Sequence, residues 1–279
     1  MKFALTGVAS LILALGVAEA QPSRNVLFIG NSFTFGGGSP VRIYRTNTVT
    51  DLNNSRVGGV PALFKSFTQQ ADFDYDVFLE TRGGSALDFH LENKLEEIGS
   101  RGWDVVVMHG YSTLDADKPR DPAELIATSA QMADFLRTHN SEVELYLMAM
   151  WSRADQIYTE TGAWAGEPIE AMARDVRAAY DMAAGAARFK SVIPVGEAWT
   201  RAMQTGIADP NPYDGIDPGK LDLWTYDHYH GSVYGYYLEA LVIFGSVTGD
   251  QLASEEGAVP TSLTRSPPAN RGRCIMLPE

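Results

Sequence analysis

The sequence predicts an α/β fold, a three-layer α/β/α sandwich around a mostly parallel sheet of about five strands. Apolar runs of strand length recur along the chain, and segments with helical periodicity separate them. Strands that alternate with helices form βαβ units, which place parallel strands in one sheet and helices on both of its faces. The apolar runs cover residues 26–29, 75–79, 104–108, 143–150 and 191–195. The helical segments cover residues 60–70, 86–99, 122–138, 168–187 and 234–247.

The first apolar run ends at Gly30, and Asn31 and Ser32 follow it directly. Open α/β folds place their ligands at the carboxyl ends of the strands, so a serine on such a turn is positioned to act as a nucleophile. Ser32 is therefore the candidate nucleophile. The structural alternative is that Asn31 and Ser32 only form a turn or cap the next helix.

Residues 122–138 show how a helix is predicted from this sequence. Small and apolar side chains recur near the helical period, and Asp121 is placed to cap the first turn. His139 then lies near the negative carboxyl end of the helix, where an exposed histidine is favoured. His90 lies within the helical segment 86–99, and we expect it to be a structural, partly buried residue.

A serine hydroxyl is a poor nucleophile at neutral pH, and it needs a histidine base and a third group that orients the base. Asp227 and His230 lie close together in a loop that precedes the helical segment 234–247. Their spacing allows the carboxylate to hold one ring nitrogen while the other faces Ser32. Asp227 and His230 are therefore the candidate orienting acid and base. His228 is the second candidate base, and a simple helix-start motif is the structural alternative.

The serine turn and the Asp-His loop, in this order, resemble the blocks of the SGNH/GDSL hydrolase superfamily of serine esterases and lipases. The resemblance covers most of residues 25–249, and its first block corresponds to residues 28–34, with Asn31 where the family usually has Asp. It implies a flavodoxin-like sandwich and ester hydrolysis through an acyl-serine intermediate. It implies no cofactor and no metal ion.

The resemblance also implies an oxyanion hole built from backbone N–H groups. One belongs to Ser32, and the other belongs to Gly84 or Gly83 in the loop after the second apolar run, with Gly84 preferred. These groups would stabilise the negative charge that develops on the ester carbonyl oxygen.

The block after the third apolar run departs from the family pattern. The family usually carries Gly-x-Asn-Asp there, and the Asn side chain donates to the oxyanion, whereas this divergent chain has His109, Gly110, Tyr111 and Ser112. His109, Tyr111 and Ser112 are the candidates to replace that donor. Loss of one donor costs about 10² to 10³ in turnover. The alternative function is therefore a catalytically impaired carbohydrate-binding or surface protein with the same fold.

The loop after the fourth apolar run carries Trp151 and Arg153, and these two residues together with Asn31 are the candidate substrate-binding side chains. Aromatic rings with polar neighbours at a sheet edge can stack on sugar rings, although aromatic residues also pack cores. The expected substrate is an acetyl or other short acyl ester on a carbohydrate. A lipase or thioesterase that uses the same site is the alternative.

Residues 1–20 have the pattern of a secretory signal peptide, with a basic start at Lys2, an apolar stretch and small residues before the expected cleavage after Ala20. The protein is expected to be exported, either to the periplasm or out of the cell. Residues 21–249 form the predicted hydrolase-like α/β domain. Residues 250–279 are expected to pack on the surface or to be partly disordered.

Composition narrows the possible partners. The formal net charge is −13, which disfavours nucleic acid, and no later apolar stretch is long enough for membrane insertion. A small-molecule or glycan ester fits better, and the oligomeric state is open. Cys274 is the only cysteine, so no disulfide can form within the chain. The acidic segment 209–217 lacks EF-hand spacing and predicts a Pro-stiffened loop rather than a calcium site.

Overall fold

A parallel sheet forms the middle layer of the protein in a computed structural model that describes residues 23–249. The order across the sheet is β2-β3-β1-β4-β5-β6, and every neighbouring pair is parallel. The predicted three-layer α/β/α fold is confirmed, with six strands instead of about five and no antiparallel pair. The strands are β1 (Arg24–Gly30), β2 (Thr50–Asp51), β3 (Tyr75–Thr81), β4 (Val105–Met108), β5 (Glu144–Ala149) and β6 (Ser191–Pro194).

The strand that the sequence analysis missed is β2, at the edge of the sheet. It contains only Thr50 and Asp51, which pair with Phe78 and Leu79 of β3. Two polar residues give no apolar run, so periodicity could not reveal this strand. The five longer strands, numbered among themselves, have the order 2-1-3-4-5, which is the flavodoxin-like order.

Helices cover both faces of the sheet because the side chains of β1 alternate between two apolar cores. Val26 and Phe28 belong to one core, and Leu27 and Ile29 belong to the other. The helices are α1 (Ser32–Phe35), α2 (Gly59–Gln70), α3 (Leu87–Asn93), α4 (Leu95–Ile98), α5 (Ala123–His139), α6 (Ala154–Tyr158), α7 (Glu170–Ala187), α8 (Val195–Gln204) and α9 (Val233–Thr248).

The two helical layers differ in their members. Buried residues of α2, α8 and α9 pack in the first core, and buried residues of α5 and α7 pack in the second. The predicted helix 86–99 is interrupted at Lys94, where the backbone leaves the helical region with a φ of −132°. The N-cap position of α5 is Pro122 and not Asp121 as predicted, although Oδ1 of Asp121 accepts the Ala123 N–H at 3.0 Å from one residue earlier. His139 is exposed at the end of that helix.

The carboxyl ends of the central strands lie side by side and define one edge of the sheet. Gly30 at the end of β1 is in register with Thr81 at the end of β3, and Ile29 is in register with Met108 at the end of β4. The loops that follow these strands therefore meet at this edge, where open α/β folds bind their ligands.

Three predictions lie outside the described residues: the signal peptide at 1–20, the C-terminal tail at 250–279 and the cysteine at position 274. Within residues 23–249, no helix combines the length and the apolar character that crossing a bilayer requires.

Candidate active site

The structure brings Ser32, His230 and Asp227 into one chain of hydrogen bonds. The Oγ atom of Ser32 lies 2.8 Å from Nε2 of His230, and Nδ1 of His230 lies 2.6 Å from Oδ2 of Asp227. The carboxylate accepts the Nδ1 proton, which leaves Nε2 as the lone-pair nitrogen that faces the hydroxyl. The Ser32 hydroxyl, the His230 imidazole and the Asp227 carboxylate, from opposite ends of the domain, are thus joined by two hydrogen bonds. We call this arrangement the catalytic relay.

Local hydrogen bonds fix the orientation of Asp227. Its Oδ1 accepts the backbone N–H groups of Tyr229 at 3.0 Å and of His230 at 2.9 Å. Burial raises the pKa of Asp227, but the hydrogen bonds from the His230 side chain and from the two backbone N–H groups outweigh burial and lower the pKa below its ordinary value. The carboxylate is therefore ionised at neutral pH and can stabilise a positively charged imidazole.

His228, the second candidate base, does not take part in this relay. Its ring packs against Tyr213 with centroids 4.3 Å apart, while the Ser32 hydroxyl is bonded to His230. The backbone of His228 has a φ of 55°, in the left-handed region.

Asn31 fixes the serine turn through hydrogen bonds to three loops. Its Oδ1 accepts the Phe33 N–H at 3.1 Å, and its Nδ2 donates to the carbonyl oxygens of Ser85 at 2.8 Å and Gly110 at 3.4 Å. The side chain is buried. The donors and the acceptor of Asn31 thus join the loops after β1, β3 and β4, and a contact with substrate remains a prediction.

Gly37 lies against the Ser-His pair, and the sequence analysis did not identify it. A Cβ atom at this position would lie 2.8 Å from Cβ of Ser32 and 3.0 Å from Cδ2 of His230. The Gly37 N–H also donates to the Ser32 carbonyl oxygen at 2.7 Å. The three glycines that follow the serine turn in sequence were the available signal.

His109, a candidate replacement for the missing Asn donor, has internal partners at both ring nitrogens. It is fully buried, its Nε2 lies 2.8 Å from Oγ1 of Thr34, and its Nδ1 lies 2.9 Å from the Gly110 carbonyl oxygen. Burial lowers the pKa of His109 to about 4, so the imidazole is neutral at ordinary pH. Both ring nitrogens have partners within the protein, so a bond from His109 to an oxyanion would require one of these two contacts to break.

Tyr111 and Ser112 differ in their surroundings. Burial, and then the negative charges of Asp88 and Glu124, raise the pKa of Tyr111. The Oγ atom of Ser112 accepts a hydrogen bond from Nη1 of Arg153 at 3.2 Å, and the Ser112 hydroxyl proton is left to donate. Ser112 is buried and, unlike His109, has a hydroxyl proton for which the contacts of residues 23–249 show no acceptor.

Three backbone N–H groups remain available beside the serine turn. Among the hydrogen bonds of residues 23–249, none uses the N–H of Ser32, Gly83 or Gly84. Gly84 has a φ of 71°, a conformation that favours glycine, and a Cβ atom there would meet nothing within 4 Å. Gly84 therefore borders open space.

Trp151 belongs to the core and not to a binding surface. It is fully buried and stacks on Trp199 with ring centroids 4.2 Å apart and planes inclined by 4°. Its other neighbours include Phe33, at a centroid distance of 4.8 Å. Trp151, two residues beyond the end of β5, thus packs beneath the loops, in contrast to the ring exposure that the predicted substrate contact requires.

Arg153 packs against the loop that carries Asp227 and His230. Its guanidinium lies over the Tyr229 ring, 3.5 Å from the centroid, and the Tyr229 ring lies against His230 at 4.1 Å. Bonds from Nε and Nη2 to Asp155, at 2.9 and 2.5 Å, complete the arrangement together with the bond to Ser112. The side chain is 14% exposed. Its donors therefore hold protein groups, in contrast to the predicted substrate contact.

The acidic segment 209–217 is a self-contained loop. The Asp209 carboxylate accepts the backbone N–H groups of Asn211 and Asp217, each at 3.0 Å, and lies 3.7 Å from Nζ of Lys220. Its oxygens serve as loop acceptors and not as an open cation site. Across residues 23–249, no cluster of three or more His, Cys, Asp or Glu side chains has a metal-binding arrangement.

Comparison with solved structures identifies the fold. An SGNH hydrolase candidate from Slackia heliotrinireducens has a TM-score of 0.54 and 18% identity, over 81% of this chain and 100% of that chain. A DUF4886 family protein from Bacteroides uniformis has a TM-score of 0.59 and 18% identity, over 84% and 86%. The acetylxylan esterase Axe2 from Geobacillus stearothermophilus has a TM-score of 0.55 and 15% identity, over 82% and 96%.

These similarities confirm the resemblance to SGNH/GDSL hydrolases at the level of the fold. No protein-family model matches the sequence, and a search of curated proteins found no match.

Proposed function

We propose that this protein is a serine ester hydrolase of the SGNH/GDSL type that removes a short acyl group, such as acetyl, from a carbohydrate. The observation that carries the proposal is the hydrogen-bonded relay from Ser32 through His230 to Asp227, at 2.8 and 2.6 Å. The flavodoxin-like fold and the structural similarity to ester hydrolases support it.

In the acylation step, Nε2 of His230 accepts the Ser32 proton as Oγ attacks the ester carbonyl carbon. The carbonyl electron pair moves onto oxygen, and the free backbone N–H groups of Ser32 and Gly84 donate to that oxyanion. Asp227 stabilises the imidazolium that forms. Collapse of the tetrahedral intermediate breaks the bond to the alcohol, which leaves with the proton from His230.

In the deacylation step, water takes the place of the alcohol. Nε2 of His230 accepts a water proton as the water oxygen attacks the acyl-serine carbonyl. The second tetrahedral intermediate then releases the carboxylic acid, and the proton returns from His230 to Oγ of Ser32. Ser112 is the proposed replacement for the missing Asn donor, since its hydroxyl has a proton to donate while Arg153 holds its oxygen.

The substrate proposal rests on charge and on surface chemistry. A formal net charge of −13 disfavours anionic polymers and permits a neutral glycan ester. Exposed aromatic residues, among them Tyr226 and Tyr213, also lie near the loop that carries Asp227 and His230. We propose in addition that the protein is exported, on the basis of the leader pattern in residues 1–20.

The Ser32→Ala variant tests the proposal directly. The wild-type protein should hydrolyse 4-nitrophenyl acetate, and Ser32→Ala should lower kcat by about 10⁴-fold or more, because the alanine has no nucleophilic oxygen. A fluorophosphonate should add covalently to Ser32 of the wild-type protein, as seen by peptide mass spectrometry. Ser100→Ala, which alters an exposed serine, should retain activity and labelling.

Two results would contradict this function. Hydrolysis that persists in Ser32→Ala would remove Ser32 from the mechanism. A wild-type protein that hydrolyses no ester, yet binds glycans, would instead be the catalytically impaired binding protein. A series of esters with longer acyl chains and thioesters distinguishes the carbohydrate esterase from a lipase or thioesterase by chain-length preference.

A further inference from the structure

We propose that Tyr213, together with Tyr158 and His228, forms a sugar-stacking subsite beside the catalytic relay and determines the preference for carbohydrate esters. We call these three side chains the aromatic platform. The proposal rests on the proposed esterase function and adds the residues that recognise the alcohol part of the substrate.

The rings of the aromatic platform form a continuous, partly exposed surface. Tyr213 is 46% exposed and Tyr158 is 37% exposed. The Tyr213 ring lies 4.3 Å from His228 and 6.1 Å from Tyr158, measured between centroids. The apolar faces of exposed aromatic rings are in contact with water, which is unfavourable. A surface where several such rings lie together is therefore typical of a recognition site.

The loop that carries Tyr213 is ordered by its own hydrogen bonds. Asp209 accepts the N–H groups of Asn211 and Asp217, and Asn211 accepts the Tyr213 N–H at 3.1 Å. The Tyr158 hydroxyl donates to the Pro210 carbonyl oxygen at 2.9 Å and joins the loop to α6. Tyr213 is therefore held in place before any ligand binds, which lowers the entropy cost of recognition.

The aromatic platform is attached to the catalytic loop through His228, the neighbour of Asp227 in sequence. The left-handed backbone of His228 is costly for a residue with a side chain, and two hydrogen bonds maintain it. Its N–H donates to the Thr225 carbonyl oxygen at 2.9 Å, and its carbonyl oxygen accepts the Asp155 N–H at 3.2 Å. In this conformation the His228 imidazole packs against the Tyr213 ring.

The chemistry of the aromatic platform fits a sugar ring better than an acyl chain. An acyl chain is bound in an enclosed apolar pocket, whereas these rings are partly solvated. The exposed Asp214 carboxylate, held by Asn211 at 2.8 Å, lies next to Tyr213 in the chain and can accept hydrogen bonds from sugar hydroxyls. Apolar sugar faces would stack on the rings while the hydroxyl groups meet this polar rim.

The test compares two substrates that share an acyl group but differ in the alcohol: 4-nitrophenyl acetate and chemically acetylated cellotetraose. Tyr213→Ala should lower kcat/KM for the acetylated oligosaccharide about tenfold, mainly through KM, because one stacking contact is lost. Hydrolysis of 4-nitrophenyl acetate should change by less than about twofold. Tyr213→Phe, which keeps the ring, and Ile216→Ala, an exposed apolar residue of the same loop, should behave like the wild type.

Several outcomes would overturn the aromatic platform as a sugar subsite. They are an equal loss on both substrates, no loss on the oligosaccharide, or no hydrolysis of the oligosaccharide by a protein that hydrolyses 4-nitrophenyl acetate. A Tyr213→Ala defect confined to 4-nitrophenyl octanoate would indicate an acyl-chain subsite instead. The Ser32→Ala result on 4-nitrophenyl acetate tests the esterase function separately, because that ester carries no sugar.

Discussion

The serine turn and the histidine loop contribute to one relay but are held in place by different means. The turn, residues 30–37, is embedded in the interior, and its central residues Ser32, Phe33 and Thr34 are buried. In the loop, residues 222–232, the side chains of His230 and Asp227 are 15% and 27% exposed. Interior packing fixes the nucleophile, whereas local hydrogen bonds fix the base.

Two buried side chains, Tyr236 and His90, hold the serine turn from the interior. The Tyr236 hydroxyl donates to the carbonyl oxygens of Ser32 and Gly37 at 3.2 and 3.0 Å. Behind the turn, Nε2 of His90 lies 3.1 Å from the Gly30 carbonyl oxygen, and Nδ1 of His90 contacts the fully buried Glu80 carboxyl group. A substitution here disturbs the core and the site together.

The histidine loop depends on shorter-range contacts. Asp227 orients the loop through bonds to residues two and three positions later, and the Thr225 N–H donates to the His230 carbonyl oxygen at 2.8 Å. The Tyr229 ring and the guanidinium of Arg153 support it from one side. The contrast predicts that substitutions in the loop reduce activity with little loss of stability, whereas substitutions in the turn reduce both.

The largest expected effect separates activity from stability in the histidine loop. Asp227→Asn keeps the Oδ1 acceptor for the Tyr229 and His230 N–H groups, but its amide favours the wrong tautomer of His230. We expect kcat for 4-nitrophenyl acetate to fall by about 10⁴-fold. The free energy of unfolding, from urea denaturation, should change by less than about 1 kcal/mol. A large loss of stability in this variant would contradict the division between the two regions.

The next effect concerns the interior side of the site. In Gly30→Ala, the new Cβ atom would collide with Oγ1 of Thr34 and Nε2 of His109. Overpacking of this kind costs about 1–3 kcal/mol, and urea denaturation should show that loss together with reduced esterase activity. Gly185→Ala is the matched control, because a Cβ atom there meets nothing within 4 Å. Its helical position should make it neutral or stabilising by up to about 1 kcal/mol.

An unchanged unfolding free energy in Gly30→Ala would mean that the serine turn adjusts as freely as the histidine loop. That result would remove the proposed difference between the two regions.

The smallest expected effect is a change in pH dependence beneath the serine turn. Glu239 lies one helical turn after Tyr236 and is fully buried; among residues 23–249, neither carboxyl oxygen has a hydrogen-bond partner. Burial raises the pKa of Glu239 well above its ordinary value. As pH rises above the ordinary pKa, the unfolded chain releases this proton while the folded protein retains it. Stability therefore falls by up to about 1.4 kcal/mol per pH unit until the raised pKa is reached.

Glu239→Gln is neutral in both states and should remove this part of the pH dependence. Urea denaturation at several pH values from acid to neutral measures the slope, and exposed Glu160→Gln should leave it as in the wild type. An unchanged slope in Glu239→Gln would show that Glu239 is already ionised in the folded protein.

Much of the fold could be predicted from the sequence because strand and helix periods are local properties of the chain. The runs that became β1, β3, β4, β5 and β6 were identified from apolar residues, and only the edge strand β2 was missed. The positions of Ser32, Asp227 and His230 were also predicted, and the structure places them within hydrogen-bond distance. Their catalytic roles remain a prediction.

The roles of neighbouring residues could not be predicted in the same way. Asn31 and Trp151 have the chemistry of ligand-binding groups. In the structure, the Asn31 side chain hydrogen-bonds to the neighbouring loop at Ser85, and the Trp151 ring is buried against Trp199. His109 stands at the sheet edge, but Thr34 and the Gly110 carbonyl occupy both of its nitrogens. Side-chain direction and the identity of the partner depend on contacts between segments distant in sequence.

By itself, the sequence determined the order of strands and helices, the acidic surface and the three residue types that an acyl-transfer relay requires. Only the tertiary structure decided which side chains remain available to a ligand. A hydrogen-bonding group is free only when no other part of the folded chain satisfies it, and burial makes such pairing obligatory. The polar groups of Asn31 and His109 are paired within the protein, whereas Ser112 keeps a proton that it can donate. Tyr213 is exposed next to the loop that carries Asp227 and His230.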